Sequence, residues 1–261
     1  MDKRAFLDAA AQSAEERVLL GRVWDKVEQA RRRNIPAFTA FLSPAEQASA
    51  ERLLRGMKAE HYVFFGGYAQ AQRRQLHILP DWQEEAEEEA LCALRCRFCH
   101  AERLPTHRDF LGSLMGMGIT RGSVGDILVS PESADILVSA GVADFLLQQW
   151  NAAGRTALRV EKIPLSEILV PPEQYREIRD TVASLRLDSV AASAFSTARG
   201  KIAEAVAAGR VELNYTLCRK ADRTVEEGDI ITLRGAGKCR LESVGSPTKK
   251  GRFPICVRRY I

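Results

Sequence analysis

Apolar positions recur at helical spacing near the start of the chain. Phe6, Leu7, Ala10, Ala14, Val18, Val23, Trp24 and Val27 predict one amphipathic helix over residues 4–30. It runs into Arg31-Arg32-Arg33, three cations suited to the negative end of a helix dipole. A second helix opens at Ser43-Pro44-Ala45-Glu46. Ser43 is a natural N-cap, Pro44 fits the first helical position, and Glu46 completes a capping box. Gly56 closes it. HYVFFGGY and QLHILP then read as two strands joined by a polar turn. Residues 1–80 are thus expected to form a small α/β unit.

Residues 81–90, DWQEEAEEEA, break the pattern with an acidic run, read as an exposed connection. From residue 92 the period becomes two. Leu94, Cys96 and Phe98 fall on one face and Arg95 and Arg97 on the other, as in a strand. Thr106 can cap a helix through Phe110, Leu111, Leu114 and Met115, stopped by Gly116 and Gly118. GDILVS (125–130) and ADILVS (134–139) flank a Pro-Glu-Ser turn. VADFLLQQWNAAG reads as a helix with Gly154 past its end, and TALRVEKIP as a last strand. The order is β-α-β-β-α-β, the split arrangement of ferredoxin-like and RNA-recognition folds, expected over residues 81–165. Pro171-Pro172 breaks the chain and is expected to open a short helix within a linker, 166–184.

The last stretch, 185–261, reads as helix, helix and hairpins. Leu187, Val190 and Phe195 line the first helix. Ser196 is expected to cap a second over 197–208, with Ile202, Ala205 and Val206 inward and Gly209 ending it. VELN is a strand, and Glu227-Gly228-Asp229 turns the chain into DIITLRG. The fold class is therefore α+β, with an N-terminal α/β domain, a central β-α-β-β-α-β domain and a C-terminal helix–hairpin domain.

Composition adds two points. With 261 residues, 46% hydrophobic and 28% charged, the chain suits a globular protein of one large or two to three small domains. It has no apolar run long enough to span a membrane and no recognisable signal peptide, so a cytoplasmic protein is expected. The formal charge of +4 is uneven. Residues 186–261 hold 15 Lys/Arg against 8 Asp/Glu, and the remainder holds 23 against 26. The basic end suggests a polyanion partner, since neutralising phosphates drives such binding.

Candidate chemistry sits in two places. CALRCRFC (92–99), followed by His100, has the C-x3-C-x2-C spacing that resembles the iron–sulfur loop of radical S-adenosylmethionine enzymes. Here, however, the cysteines lie along a strand. Alternation sends Cys96 to the core and Cys92 and Cys99 elsewhere, so a cluster is not expected. Zinc is not expected either, since Cys92, Cys96, Cys99 and His100 are crowded with no second ligand pair further on, and no cofactor or metal is assigned. HRDFLGSLMGMGITRGSVGDI places His107, Arg108, Asp109 and Arg121 around a glycine-rich helix and loop, where backbone N–H groups can approach phosphate. The central strand ADILVSA carries no aromatic residue for base stacking.

The C-terminal features closely resemble the alpha-L RNA-binding motif of ribosomal small-subunit protein four. They are Arg186-Leu187-Asp188, the basic helix start with Arg199 and Lys201, Gly209-Arg210-Val211, Asn214, and Gly228-Asp229-Ile230. The motif's Ser-Arg-Ser is spread into STARGK, and its Asn-Gly turn is Asn214-Tyr215. Candidate RNA contacts are Arg186, Thr197, Arg199, Lys201, Arg210 and Asn214. Lys220, Arg223, Arg234, Lys238 and Arg240 follow on the hairpins, with His107, Arg108 and Arg121 in the central domain.

FLSPAEQASAERLL, FFGGY, HRDFLGSLMGMGITRGSVGDILVS and the C-terminal motif together resemble the YlmH family of bacterial RNA-binding proteins over essentially the full length. The resemblance implies a non-catalytic factor on ribosomal RNA and tRNA. It implies association with the large ribosomal subunit during quality control of stalled nascent chains, and a monomer when off the ribosome. The competing reading is an RNA-modifying enzyme with an appended RNA-binding domain, a pseudouridine synthase or methyltransferase. Asp109 and Asp126 are the carboxylates to test. GMGITRGSVGD follows a helix rather than a strand, which is the wrong context for a methyltransferase loop.

Overall fold

The computed structural model describes residues 2–99 and 103–261. The chain forms two compact units, Met1–Pro171 and Pro172–Ile261, divided at the diproline.

The first unit opens with two helices where one was expected, α1 (Lys3–Ala10) and α2 (Ala14–Arg33). The break has a local cause. Ser13 is extended, and its hydroxyl accepts the Glu16 N–H at 3.1 Å, while the Glu16 carboxylate accepts the Gln12 N–H at 2.6 Å. This S-x-x-E signal outweighs the apolar periodicity that runs through it. Asn34, left-handed at φ 51°, closes α2. A strand not foreseen, β1 (Ala37–Leu42), follows, and then α3 (Pro44–Gly56), entered by the expected Ser43–Glu46 capping box. The two expected strands are β2 (Tyr62–Phe65) and β3 (Arg74–Ile78). Their sheet runs β1-β3-β2, antiparallel throughout. Leu20, Val23, Trp24 and Val27 of α2 pack on Leu53 and Leu54 of α3 and on Leu76 and Ile78 of β3.

The central part continues with β4 (Leu91–Cys99), α4 (His107–Gly116), β5 (Val124–Val129) and β6 (Ser133–Ser139). It ends with α5 (Ala140–Gln149), β7 (Ala152–Ala153) and β8 (Thr156–Ile163). The sheet order is β5-β6-β4-β8-β7, every pair antiparallel. Thr106 and Asp109 form the capping box of α4. Gly154, at φ 58°, makes the β7–β8 turn rather than ending α5, which stops five residues earlier at Gln149.

The two faces of this sheet have different covers. Cys92, Leu94 and Cys96 of β4 and Ile136 and Val138 of β6 pack under Phe110 and Leu114 of α4 and Ala143 and Leu146 of α5. Cys92 therefore shares the core face with Cys96. The expectation that it points elsewhere fails because two residues four apart on a strand face the same side. On the opposite face, Leu91, Ala93, Leu137 and Ile163 bury against Phe41 of β1, with Phe65, Tyr68, Leu165 and Ile168 packed around them. Gly125 sits at this junction, where an added Cβ would meet Phe41 at 2.7 Å and Leu137 at 2.9 Å.

The second unit begins with a strand, β9 (Tyr175–Val182), where a short helix was expected. It pairs along its whole length with β14 (Phe253–Tyr260) at the edge of a six-stranded sheet. Of this edge strand, Val182 joins the core and Ile178 packs against it. Then come α6 (Leu187–Ala194), α7 (Arg199–Ala207), β10 (Val211–Leu213), β11 (Thr216–Leu217), β12 (Ile230–Leu233) and β13 (Gly237–Val244). The sheet order is β11-β10-β12-β13-β14-β9. The second helix starts at Arg199, not 197. Ser196 does not cap it but takes a left-handed φ of 51° in the α6–α7 turn. Leu187, Val190, Phe195, Ile202 and Val206 pack on Ile231, Cys239, Leu241 and Val257.

Candidate nucleic-acid interface

In the second unit the site is organised by one carboxylate. Asp188, in the first turn of α6, is 6% exposed and accepts from two arginines. Arg186, the residue preceding the helix, donates through Nε and Nη2 at 3.2 Å each. Arg199, the first residue of α7, donates through Nη2 at 3.1 and 3.0 Å. Burial raises the Asp188 pKa, but the bonds and charges of both arginines outweigh it and the net shift is downward. The carboxylate stays ionised and fixes the starts of both helices. The local pairing of Arg186 with Asp188 was legible in sequence. The capture of Arg199, 11 residues further on, was not.

The backbone brings a loop to the same place. The N–H groups of Leu187 and Asp188 donate to the carbonyls of Arg223 and Ala221 at 2.8 and 2.9 Å. Lys220 and Arg223 are exposed beside α6, as is Arg219, a further cation not among the expected contacts although it adjoins Lys220. Lys201 is exposed in the first turn of α7. Arg186, Arg199, Lys220 and Arg223 are thus gathered around one helix pair, and Lys201 rises from the same end of α7. Thr197 serves the connecting turn, its N–H donating to Ala192 O at 3.0 Å.

The other predicted contacts divide. Arg210 is exposed after α7, and its carbonyl accepts the Arg234 N–H at 2.9 Å. Arg234 lies 3.8 Å from Glu212. Asn214 is used by the fold itself. Its amide donates to Asp229 at 2.7 Å, its oxygen accepts the Ile230 N–H at 2.9 Å, and its φ of 49° makes the hairpin turn. Lys238 and Arg240 are on the sheet face turned away from the helices, because their neighbours Cys239 and Leu241 are the inward residues. Lys238 stacks on Tyr260 at 4.6 Å, and Arg240 approaches Glu242 at 3.4 Å. They do not converge with Arg199.

In the first unit the glycine-rich loop is less open than expected. The Arg121 guanidinium donates to Val124 O at 2.6 Å and Gly125 O at 3.3 Å, holding the start of β5. His107 begins α4. Desolvation and then the Arg121 charge lower its pKa, so it is neutral at pH 7 and a weak phosphate partner. Arg108 is exposed beside it. The two carboxylates considered for catalysis have structural partners. Asp109 accepts the Thr106 N–H and hydroxyl at 2.7 Å each. Asp126 accepts from Tyr68 Oη, Gln72 N and Arg73 N at 2.8, 2.6 and 3.0 Å.

The cysteines do not converge. Cys92 and Cys96 are buried four residues apart on β4, roughly 13 Å along the strand, and Cys99 is exposed. His100 lies outside the described residues. Among the described residues no group of three or more His, Cys, Asp or Glu is placed to hold a metal, and no helix is long and apolar enough to cross a membrane.

The chain is a mixed α+β protein with antiparallel sheets, and in its second unit Arg186 and Arg199 share one buried carboxylate where the two helices start. The comparisons narrow this. Residues 15–81 match a family model described as "YlmH, N-terminal", and residues 97–167 match "Putative RNA-binding domain in YlmH". The chain is 34% identical over 260 residues to the "Ribosome-associated protein quality control protein P2" of Bacillus subtilis (strain 168), covering 99% of this chain and 95% of that one. It belongs to the YlmH family. A solved structure, "Cell division protein ylmH from Streptococcus pneumoniae", shares the fold with a TM-score of 0.51 at 21% identity, covering 61% of this chain and 97% of that one.

Proposed function

We propose that residues 185–261 are an alpha-L, S-four-type RNA-binding domain, and that the chain is a non-catalytic factor of ribosome-associated quality control. It binds ribosomal RNA and tRNA on the large ribosomal subunit, as a cytoplasmic protein that is a monomer when free. In this reading residues 1–80 and 81–165 are the N-terminal and RNA-recognition-like modules.

The observation that carries the reading is the Asp188 clamp. One buried carboxylate orients Arg186 and Arg199, and with exposed Lys220 and Arg223 on the loop bonded to α6 they form a cationic edge at the starts of α6 and α7. Free N–H groups at that helix start add to the attraction for phosphate. Such an edge suits structured RNA, which is recognised through shape and backbone more than base edges. The name of the Bacillus subtilis relative supports the ribosomal setting. The structural bonds of Asp109 and Asp126 support a role without catalysis.

Co-sedimentation with purified large and small subunits across a salt series tests this. The wild-type protein is expected to pellet with large subunits and to dissociate steeply as salt rises. Lys201→Glu should abolish pelleting without altering the circular dichroism spectrum. Normal pelleting by a folded Lys201→Glu protein would sink the assignment.

A further inference from the structure

The central sheet carries a second cationic patch, outside the glycine-rich loop. β4 and β8 are partly hidden on the face opposite α4 and α5, where Leu91, Ala93 and Ile163 are covered. The cover ends at Arg95. Its guanidinium pairs with buried Asp135 at 2.8 Å and donates to Glu167 O at 2.6 Å, and the Leu169 N–H donates to Asp135 at 2.7 Å. Beyond that point the same face is open. Arg97, Cys99, Ala157 and Arg159 are all exposed there, and Arg155 follows in the exposed β7–β8 turn.

Arg97 and Arg159 are direct cross-strand partners. Like charges placed opposite each other on one sheet face are destabilising. Arg97 is partly neutralised by Glu161 at 2.8 Å. Arg155 and Arg159 have no side-chain partner among the described residues. Arg103 borders the same end, its carbonyl accepting Thr156 Oγ1 at 3.5 Å. Among the described residues the bordering acids are Glu161, held by Arg97, Glu132 in the turn before β6, and Asp109, which lies beside Gly154 and whose carboxylate is held by Thr106. Arginines left without a carboxylate partner on an open sheet, here Arg155 and Arg159, are the arrangement expected where an anionic ligand supplies the missing charge.

We infer that Arg97, Arg155 and Arg159, with Arg103 at the rim, form a second RNA site that grips the phosphate backbone. The site rests on the RNA-binding reading above and adds to it a surface in the first unit. It reads no sequence. The half of the sheet that could stack bases lies under Phe41 and Phe65, and the open half carries arginines and small side chains rather than aromatic rings.

Fluorescence anisotropy with a fluorescein-labelled RNA hairpin of roughly 20 nucleotides, repeated over a salt series, tests this. Arg155→Gln/Arg159→Gln should weaken binding about tenfold and reduce the slope of log K against log[salt] by roughly 1 to 2, one step per lost phosphate contact. These exposed positions should leave the melting temperature unchanged or slightly raised, since Arg159 no longer opposes Arg97. A control with the same charge loss elsewhere, Arg22→Gln/Arg55→Gln, should keep the wild-type slope. If the control falls as far as the test pair, the effect is net charge and the site is overturned. If Lys201→Glu abolishes binding while Arg155→Gln/Arg159→Gln keeps affinity and slope, the site is overturned and the C-terminal reading stands. A wild-type protein that binds no RNA overturns both.

Discussion

Acid should weaken the first unit through one histidine. His77 of β3 is fully buried, with its ring between Phe38 at 4.6 Å and Phe65 at 5.6 Å. Nε2 faces Gln75 Oε1 at 3.3 Å, and Nδ1 has no hydrogen-bond partner. Burial lowers its pKa from 6.5 to about 4. Between those values the unfolded chain binds a proton that the folded one refuses, so stability falls as pH drops through this window. A shift of this size costs about 3 kcal/mol by pH 4, taking about 1.4 kcal/mol per unit and allowing for half-protonation of the folded state. The three tryptophans, Trp24, Trp82 and Trp150, all lie in the first unit, so their fluorescence follows its unfolding in urea. The wild-type protein should lose about 3 kcal/mol more than His77→Phe between pH 7 and pH 4. Phenylalanine suits a site already lined by two aromatic rings. Parallel stability profiles for the two proteins across this range would refute the reasoning.

Gly125→Ala should cost the first unit roughly 1–3 kcal/mol, because the new methyl collides with Phe41 and Leu137 where neither can retreat; urea midpoints measure it. Asp188→Ala should destabilise the second unit by about 1–3 kcal/mol, since it leaves Arg186 and Arg199 half-buried without their acceptor, and RNA affinity should fall with it. Asp188→Asn, which keeps the shape, should recover part of the stability as read by calorimetry. Thiol labelling of the native protein should modify Cys99 first. Cys96, raised by burial and by Asp135, and Cys239, pushed up to about 12, should react only after denaturation, as mass spectrometry of labelled peptides will report.

Much of the secondary structure was legible in the sequence because its signals are local. A capping box needs four consecutive residues, and α3 and α4 begin where Ser43–Glu46 and Thr106–Asp109 place them. Alternation along 92–98 announced β4, and the Asp-Ile-Leu-Val-Ser repeats announced β5 and β6. Errors arose where two local signals competed or where the decisive partner was distant. The helix over 4–30 split because Ser13 caps a new start. The segment after the diproline became β9 because β14, some 80 residues later, offers a free edge.

The sequence by itself determined which residues are charged, where the helices with a capping box, α3 and α4, start, and the basic character of the C-terminal end. Tertiary structure decided which of those charges act together. Arg186, Arg199 and Arg223 are scattered in the chain and gather only because α6 packs on α7 and donates two backbone N–H groups to the carbonyls of Ala221 and Arg223. Lys238 and Arg240, equally basic in sequence, were sent to the other side of their sheet by the inward burial of Cys239 and Leu241. Arg121 was drawn inward to hold carbonyls, while Arg97 and Arg159 were left opposed on an open sheet. Charge is a property of a side chain, but a binding surface is a property of strand register and helix packing, which only the folded chain fixes.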